Sequence, residues 1–122
     1  AKFHIAGLDS YMEMHARFDL LLKCLPDDGA AILLAHEPDF AYLSAPTGRF
    51  DLQLSGHSHG GQVRVPILMD IVLPPFARRF TAGLRQVGSM YVYTNRGLGF
   101  SGIPMRFNCR PELTLFTLRS AA

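Results

Sequence analysis

Apolar positions along the 122-residue chain fall into one helically spaced stripe and several short runs of strand length. "KFHIAG", residues 2–7, reads as a strand with a glycine stop. Ser10-x-x-Glu13 then forms a capping box, in which side chains satisfy free N–H groups at a helix start. Tyr11, Met14, Phe18, Leu21, Leu22 and Leu25 follow at helical spacing, with Lys23 in the last turn and Pro26 as the stop. "AAILLA", residues 30–35, is a continuous apolar run of the kind covered on both faces in a parallel sheet. "EPDFAYLSA" reads as a short helix that tolerates Pro38 in its first turn, and "PTGR" breaks it. "DLQLS", 51–55, is the next strand, and the intervening dozen residues suffice for a parallel crossover. Residues 30–55 therefore predict one βαβ unit. "QVRV", 62–65, alternates like a strand. Residues 66–89 lack periodicity and read as a long loop or lid. "SMYVYTN" is a strand, "RGLGFSGIP" a glycine-rich loop and "PELTLFTL" a final strand. This order predicts an α/β fold, a sandwich or the second half of one.

Composition narrows the class. A formal charge of +2 with no Lys/Arg block is too weak to argue for a nucleic-acid partner. The nearest cluster, Arg78-Arg79 with Arg85, fits a solvated surface. Two cysteines without a CxxC pair exclude a cysteine-rich zinc site and argue against a disulfide framework, although one bridge stays possible. The apolar runs are too short and too interrupted to span a bilayer. No signal peptide opens the chain, so the expected location is cytoplasmic or peripheral to a membrane. The first residues read as a strand already in progress, without an initiator Met. The expectation is a single, partial domain over residues 1–122.

The candidate chemistry lies in "DLQLSGHSHGGQVRVP", residues 51–66. Gly56-His57-Ser58-His59-Gly60 matches the G-x-S-x-G elbow of serine hydrolases. That elbow needs a helix after the serine, and "QVRVP" is a poor one. The α/β-hydrolase order also needs a later histidine, and none lies beyond His59. A Ser58 hydrolase is thus the weaker alternative. The other reading is metal ligation. Side chains two apart in extended chain point to one side, and imidazole is a good ligand for Zn, Mn, Fe or Ni. Gly56, Gly60 and Gly61 permit tight turns and close backbone approach to a ligand. His36 follows one predicted strand and His57 the next, and ligands of open α/β sheets bind at the carboxyl ends of strands. Neighbouring strands lie about 4.8 Å apart, so His36, His57 and His59 are predicted to converge on one crevice.

"LLAHEPD" followed by "LQLSGHSHGGQVRVP", with the tail "YVYTNRGLGFSGIPMRFNCRPELTLFTL", closely resembles the C-terminal part of calcineurin-like metallophosphoesterases. The bacterial branch with the Gly-His-Ser-His-Gly-Gly-Gln signature is the most similar. The resemblance implies an αββα sandwich, of which this chain is the C-terminal half, and a centre of two divalent metal ions (Mn, Fe, Zn or Mg). It implies His36 and His57 on one metal and His59 on the other. It further implies hydrolysis of a phosphomono- or diester by a hydroxide held between metals about 3.5–4 Å apart. The family's Asp-x-His, Gly-Asp and Gly-Asn-His-Asp/Glu motifs are absent here, and neither asparagine, Asn95 nor Asn108, precedes a histidine. Those ligands are expected from a missing N-terminal half, which makes that half a partner. By itself the chain then reads as a catalytically incomplete metal-binding fragment or an interaction module.

Other residues receive smaller roles. Ser58 suits a turn or a hydrogen bond that fixes an imidazole. Glu37 suits a support for His36 or a first-turn carboxylate, and Asp39 the latter. Arg96 and Arg106 suit phosphate contact or ordinary surface ion pairs. Gly97-x-Gly99-x-x-Gly102 runs into "IPMRF" rather than a helix, which rejects a dinucleotide fingerprint. Residues 66–80, apolar and then Arg78-Arg79, suit a substrate lid or a membrane-surface segment, or a loop packed on its own domain. Relatives of this branch that act on lipid-linked phosphates or pyrophosphates make a lipid substrate a possible partner.

Overall fold

A computed structural model of the chain describes residues 2–67 and 73–119. Five strands form one mixed sheet: β1 (Phe3–Gly7), β2 (Ala30–Leu34), β3 (Leu52–Ser55), β4 (Gly83–Val87) and β5 (Met90–Thr94). Their order is β1-β2-β3-β5-β4. β1, β2, β3 and β5 run parallel, and β4 pairs antiparallel with β5 at the edge. The predicted βαβ unit over residues 30–55 is present, and the α/β class with it.

The two faces of the sheet differ. Ala31 and Leu33 of β2, Gln53 and Ser55 of β3, and Met90, Val92 and Thr94 of β5 share one buried face. Phe40, Ala41, Phe50 and Phe80 pack onto it, with Phe18, Leu21 and Leu22 of helix α1 (Phe18–Cys24) and the following Leu25 half-buried against them. The Phe18 ring meets Phe40 edge-on at 4.9 Å, an arrangement that aromatic quadrupoles favour. The opposite face carries Ile5, Leu34, Tyr91 and Leu84, all exposed. The continuous apolar run of β2 predicted cover on both faces. In this chain the helices cover only one.

Several expected elements change. The helix predicted from Ser10 starts only at Phe18, because Ser10 Oγ donates to Glu37 at 2.6 Å. Ser10 still accepts from Glu13 N at 3.3 Å, so half of the capping box survives as a turn. Met14 leaves the predicted apolar stripe with a φ of 59° and 90% exposure. Leu25 is extended, as a residue before proline must be, and α1 ends there. "EPDFAYLSA" breaks into a 3-10 turn (Pro38–Phe40) and one helical turn, α2 (Ala41–Ser44), with a second 3-10 turn after it. "QVRV" is not a strand: Gln62 turns to a φ of 43° and Val63 makes only an isolated bridge to Phe107. The supposed loop 66–89 contains β4. "PELTLFTL" forms no strand among the described residues, and its Leu113 and Leu115 are 88% and 92% exposed. Cys24 and Cys109 are both free thiols, and no described helix is long and apolar enough to cross a membrane.

Candidate metal centre

The ladder between β2 and β3 runs past the strand ends. Ala35 N donates to Leu54 O and Gly56 N donates to His36 O, each at 3.1 Å. That continuation holds His36 and the His57 turn side by side. Their ring centroids are 4.9 Å apart, and His57 Nδ1 lies 3.2 Å from His36 Nε2. His57 Nε2 lies 2.9 Å from the Pro75 carbonyl. A carbonyl only accepts, so His57 carries its proton on Nε2 and presents the lone pair of Nδ1 to His36. His36, His57 and His59 all line one cavity of about 290 Å³, with Ser58, Gly61, Gln62, Pro74 and Ser101. His36 and His57 thus meet at one rim, and His59 lines the same cavity.

The turn that carries them is strained and tightly held. His57, His59 and Gln62 all have positive φ, at 61°, 49° and 43°. Non-glycine residues in this region cost on the order of 1 kcal/mol or more each unless their surroundings impose it. Gly61 N donates to Ser58 O at 2.8 Å and Gln62 N to His59 O at 3.0 Å. Gly60 also has positive φ, and a Cβ there would stand 2.5 Å from Arg96 Cγ and 2.8 Å from Cys109 Sγ. Cys109 Sγ donates to the His59 and Gly60 carbonyls at 3.3 Å. The Gln62 side chain donates to Ser101 O and Ile103 O and accepts from Ser101 N, which ties the glycine-rich loop to the same turn.

His59 Nδ1 is buried without a hydrogen-bond partner among the described residues. Burial lowers the His59 pKa, and the positive charge of Arg106 and the two other imidazoles push the same way. The neutral ring, the form that can offer a lone pair, is thereby favoured. No three His, Cys, Asp or Glu side chains among the described residues are grouped to hold one ion.

Ser58 is 2% exposed. Its hydroxyl donates to Thr81 O at 2.6 Å and accepts from Gly60 N at 3.0 Å. Its proton goes to a backbone carbonyl and not to an imidazole, so the acid–base contact a nucleophilic serine needs is missing. Glu37 is buried, and its carboxylate accepts from Ser10 Oγ at 2.6 Å and from Tyr11 N and Met12 N at 3.1 Å. Burial works to raise its pKa, but these hydrogen bonds outweigh it and hold the carboxyl below its ordinary value. Glu37 thus pins the 10–12 segment to the end of β2 rather than reaching the imidazoles.

Arg96 and Arg106 do not line the imidazole cavity. Arg106 donates to the carbonyls of Gly99 and Arg96 at 2.7 Å and of His59 at 3.2 Å. Arg96 Nε pairs with Glu112 at 2.6 Å. Both line a separate depression behind the turn, with Asn108, Cys109, Arg110 and Pro111. Guanidinium donors drawn to backbone carbonyls are a long-range effect with no local sequence signal. The sequence reading gives Gln53 no role. Gln53 is fully buried, accepts from Ser44 Oγ at 2.7 Å, and donates to Pro38 O and Ser55 Oγ at 3.2 and 3.0 Å. A glutamine at an inward strand position was the available signal. The lid reading of residues 66–80 falls partly on 68–72, outside the described residues. In its described part, 66–67 and 73–80, Leu73, Ala77 and Phe80 are buried, and Phe80 joins the core.

No protein-family model and no solved structure matches the chain. Among curated proteins, it is 44% identical over 120 residues to the metallophosphoesterase YkuE of Bacillus subtilis (strain 168), covering 98% of this chain and 42% of that protein. It is 42% identical over 87 residues to phosphodiesterase YaeI of Escherichia coli (strain K12), covering 71% and 32% of the two. A transmembrane protein with metallophosphoesterase domain from Bos taurus is 41% identical over 101 residues, covering 80% and 21%. The chain thus spans less than half the length of these relatives. With 44% identity to a metallophosphoesterase along 98% of its length, on a mixed α/β sheet with histidines at its rim, the chain belongs to the calcineurin-like metallophosphoesterase family.

Proposed function

We propose that this chain supplies the C-terminal metal-binding histidines of a metal-dependent phosphoesterase. His36 Nε2 and His57 Nδ1 are its ligands to one divalent ion, and His59 its ligand to a second. The observation that carries the reading is the 3.2 Å separation of His36 Nε2 and His57 Nδ1. Two imidazole nitrogens about 2.0–2.1 Å from a tetrahedral ion stand about 3.3 Å apart. The unpartnered, buried His59 Nδ1 lines the same cavity and fits a ligand role as well. Divalent ions held here would supply Lewis acidity toward a phosphoryl oxygen and lower the pKa of water. The metal is one of Mn, Fe, Zn or Mg, and the substrate is a phosphodi- or monoester. The relatives' names support the class.

The residues of this chain position and shield that centre. The Pro75 carbonyl orients His57, the β2–β3 ladder sets the spacing of His36 to His57, and Cys109 with Arg106 supports the His59 turn. Two ligands for one ion and one for another are too few for either, so the isolated chain is an incomplete metal binder. The exposed face with Ile5, Leu34 and Tyr91 is where the rest of the domain packs, since burying it removes apolar surface from water. The test is Mn-dependent hydrolysis of a chromogenic phosphodiester by the full-length parent. His57→Ala should lower the rate more than about 100-fold, beyond the 10–100-fold that groups behind metal ligands cost. Full activity after chelation, or in His57→Ala, contradicts the assignment.

A further inference from the structure

The segment that carries Pro75 is fixed to the sheet by one side chain. The Asp39 carboxylate accepts three successive backbone N–H groups: Arg78 N, Arg79 N and Phe80 N, each at 3.1 Å. Asp39 N in turn donates to Phe76 O at 2.9 Å. Ser58 Oγ holds the same segment through Thr81 O, and the Tyr11 ring packs edge-on against Phe76 at 5.2 Å. Pro75 precedes Phe76, and its carbonyl takes the His57 Nε2 proton. Pro74 forms part of the wall of the imidazole cavity. Asp39 stands three residues after His36, in the 3-10 turn that β2 runs into.

We propose that Asp39 is a positioning residue for His57. By gathering the N–H groups of residues 78–80, it fixes the Pro75 carbonyl where it captures the His57 Nε2 proton. It thereby sets which ring nitrogen His57 offers to the cavity and how the ring is turned. The carboxylate is suited to this because ionised acceptors make stronger bonds to N–H groups than neutral ones. A partner that orients a ligating imidazole through its distal N–H raises both its order and its basicity. The consequence for metal binding rests on the ligand reading above. The consequence for the His57 N–H does not.

The test uses the full-length parent with ¹⁵N-labelled histidine. In the native chain the His57 Nε2–H proton should be visible and slow to exchange, as a proton held by a carbonyl is. Asp39→Ala should speed its exchange about tenfold or more, as expected for losing a charge-assisted set of bonds. Asp39→Asn keeps the shape and one acceptor oxygen and should give an intermediate rate; it carries the test if Asp39→Ala does not fold. Protection of the Gln53 and Val92 amides should be unchanged in Asp39→Asn, which separates this role from general support of the fold. Unchanged His57 N–H exchange in both variants overturns the proposal, and so does a native chain in which that proton is not protected. A parallel Mn²⁺ titration reads paramagnetic broadening of the imidazoles. Asp39→Ala should weaken it about tenfold. If Mn²⁺ broadens no imidazole in the native chain while the exchange rates respond as stated, the ligand reading falls and the Asp39 assignment stands.

Discussion

The two faces of the sheet are built to different standards. The inner face has a closed aromatic and aliphatic core, and its buried Gln53 is paired with Ser44, Ser55 and the Pro38 carbonyl. The outer face leaves Ile5 63%, Leu34 43% and Tyr91 44% exposed, beside a tail whose leucines point into solvent. The rim that holds His36, His57 and His59 lies at the end of strands shared by both faces. The comparison teaches where this chain is self-sufficient. It builds the inner layer and the turn geometry of the site, and it leaves much of the outer face exposed.

Substitutions should separate the faces. Phe40, 2% exposed and touching Tyr11 and Phe18, carries the largest expected effect. Phe40→Ala should destabilise the chain by about 3–5 kcal/mol, read from urea unfolding. Gln53→Leu should cost about 1–3 kcal/mol, because it strands the Ser44 hydroxyl and the Pro38 carbonyl in the interior. A smaller effect appears with pH at the base of the tail. Glu112 accepts from the Tyr93 and Thr114 hydroxyls and from Arg96. Burial works to raise its pKa, but those bonds win and hold it at about 2, from an ordinary 4.5. A depressed carboxyl contributes stability above its unfolded pKa and loses it as pH falls through the folded value. The Tyr93 environment should therefore stay native above about pH 4.5 and loosen toward pH 2, as followed by tyrosine fluorescence. Leu115→Ser on the exposed tail should shift stability by less than about 0.5 kcal/mol while reducing self-association in light scattering. A cost as large as that of Phe40→Ala would erase the distinction between the faces.

What was legible in the sequence follows the same division. β2, β3 and β5 carry apolar or alternating runs, and each shows in the pattern because burial on the inner face demands it. The meeting of His36 and His57 was legible because each follows the end of one of two neighbouring parallel strands. β4 was not: it is an edge strand with Leu84, Arg85 and Gln86 all exposed, so no alternation marks it. Only the Gly88-Ser89 turn before β5 hinted at a hairpin. The helix start at Ser10 failed because Glu37, 27 residues away, claims the serine hydroxyl and the N–H groups that a helix would have used. The partners of Asp39 and Arg106 are hidden for a related reason. They are backbone groups of distant segments, and a backbone group has no letter in the sequence.

The central claim is that three imidazoles at one sheet rim hold the metal. Crystals of the full-length parent soaked in Mn²⁺ test it most directly, through an anomalous difference map. The account predicts one peak bonded to His36 Nε2 and His57 Nδ1 at about 2.0–2.3 Å, and a second beside His59. Peaks that avoid all three rings would contradict it.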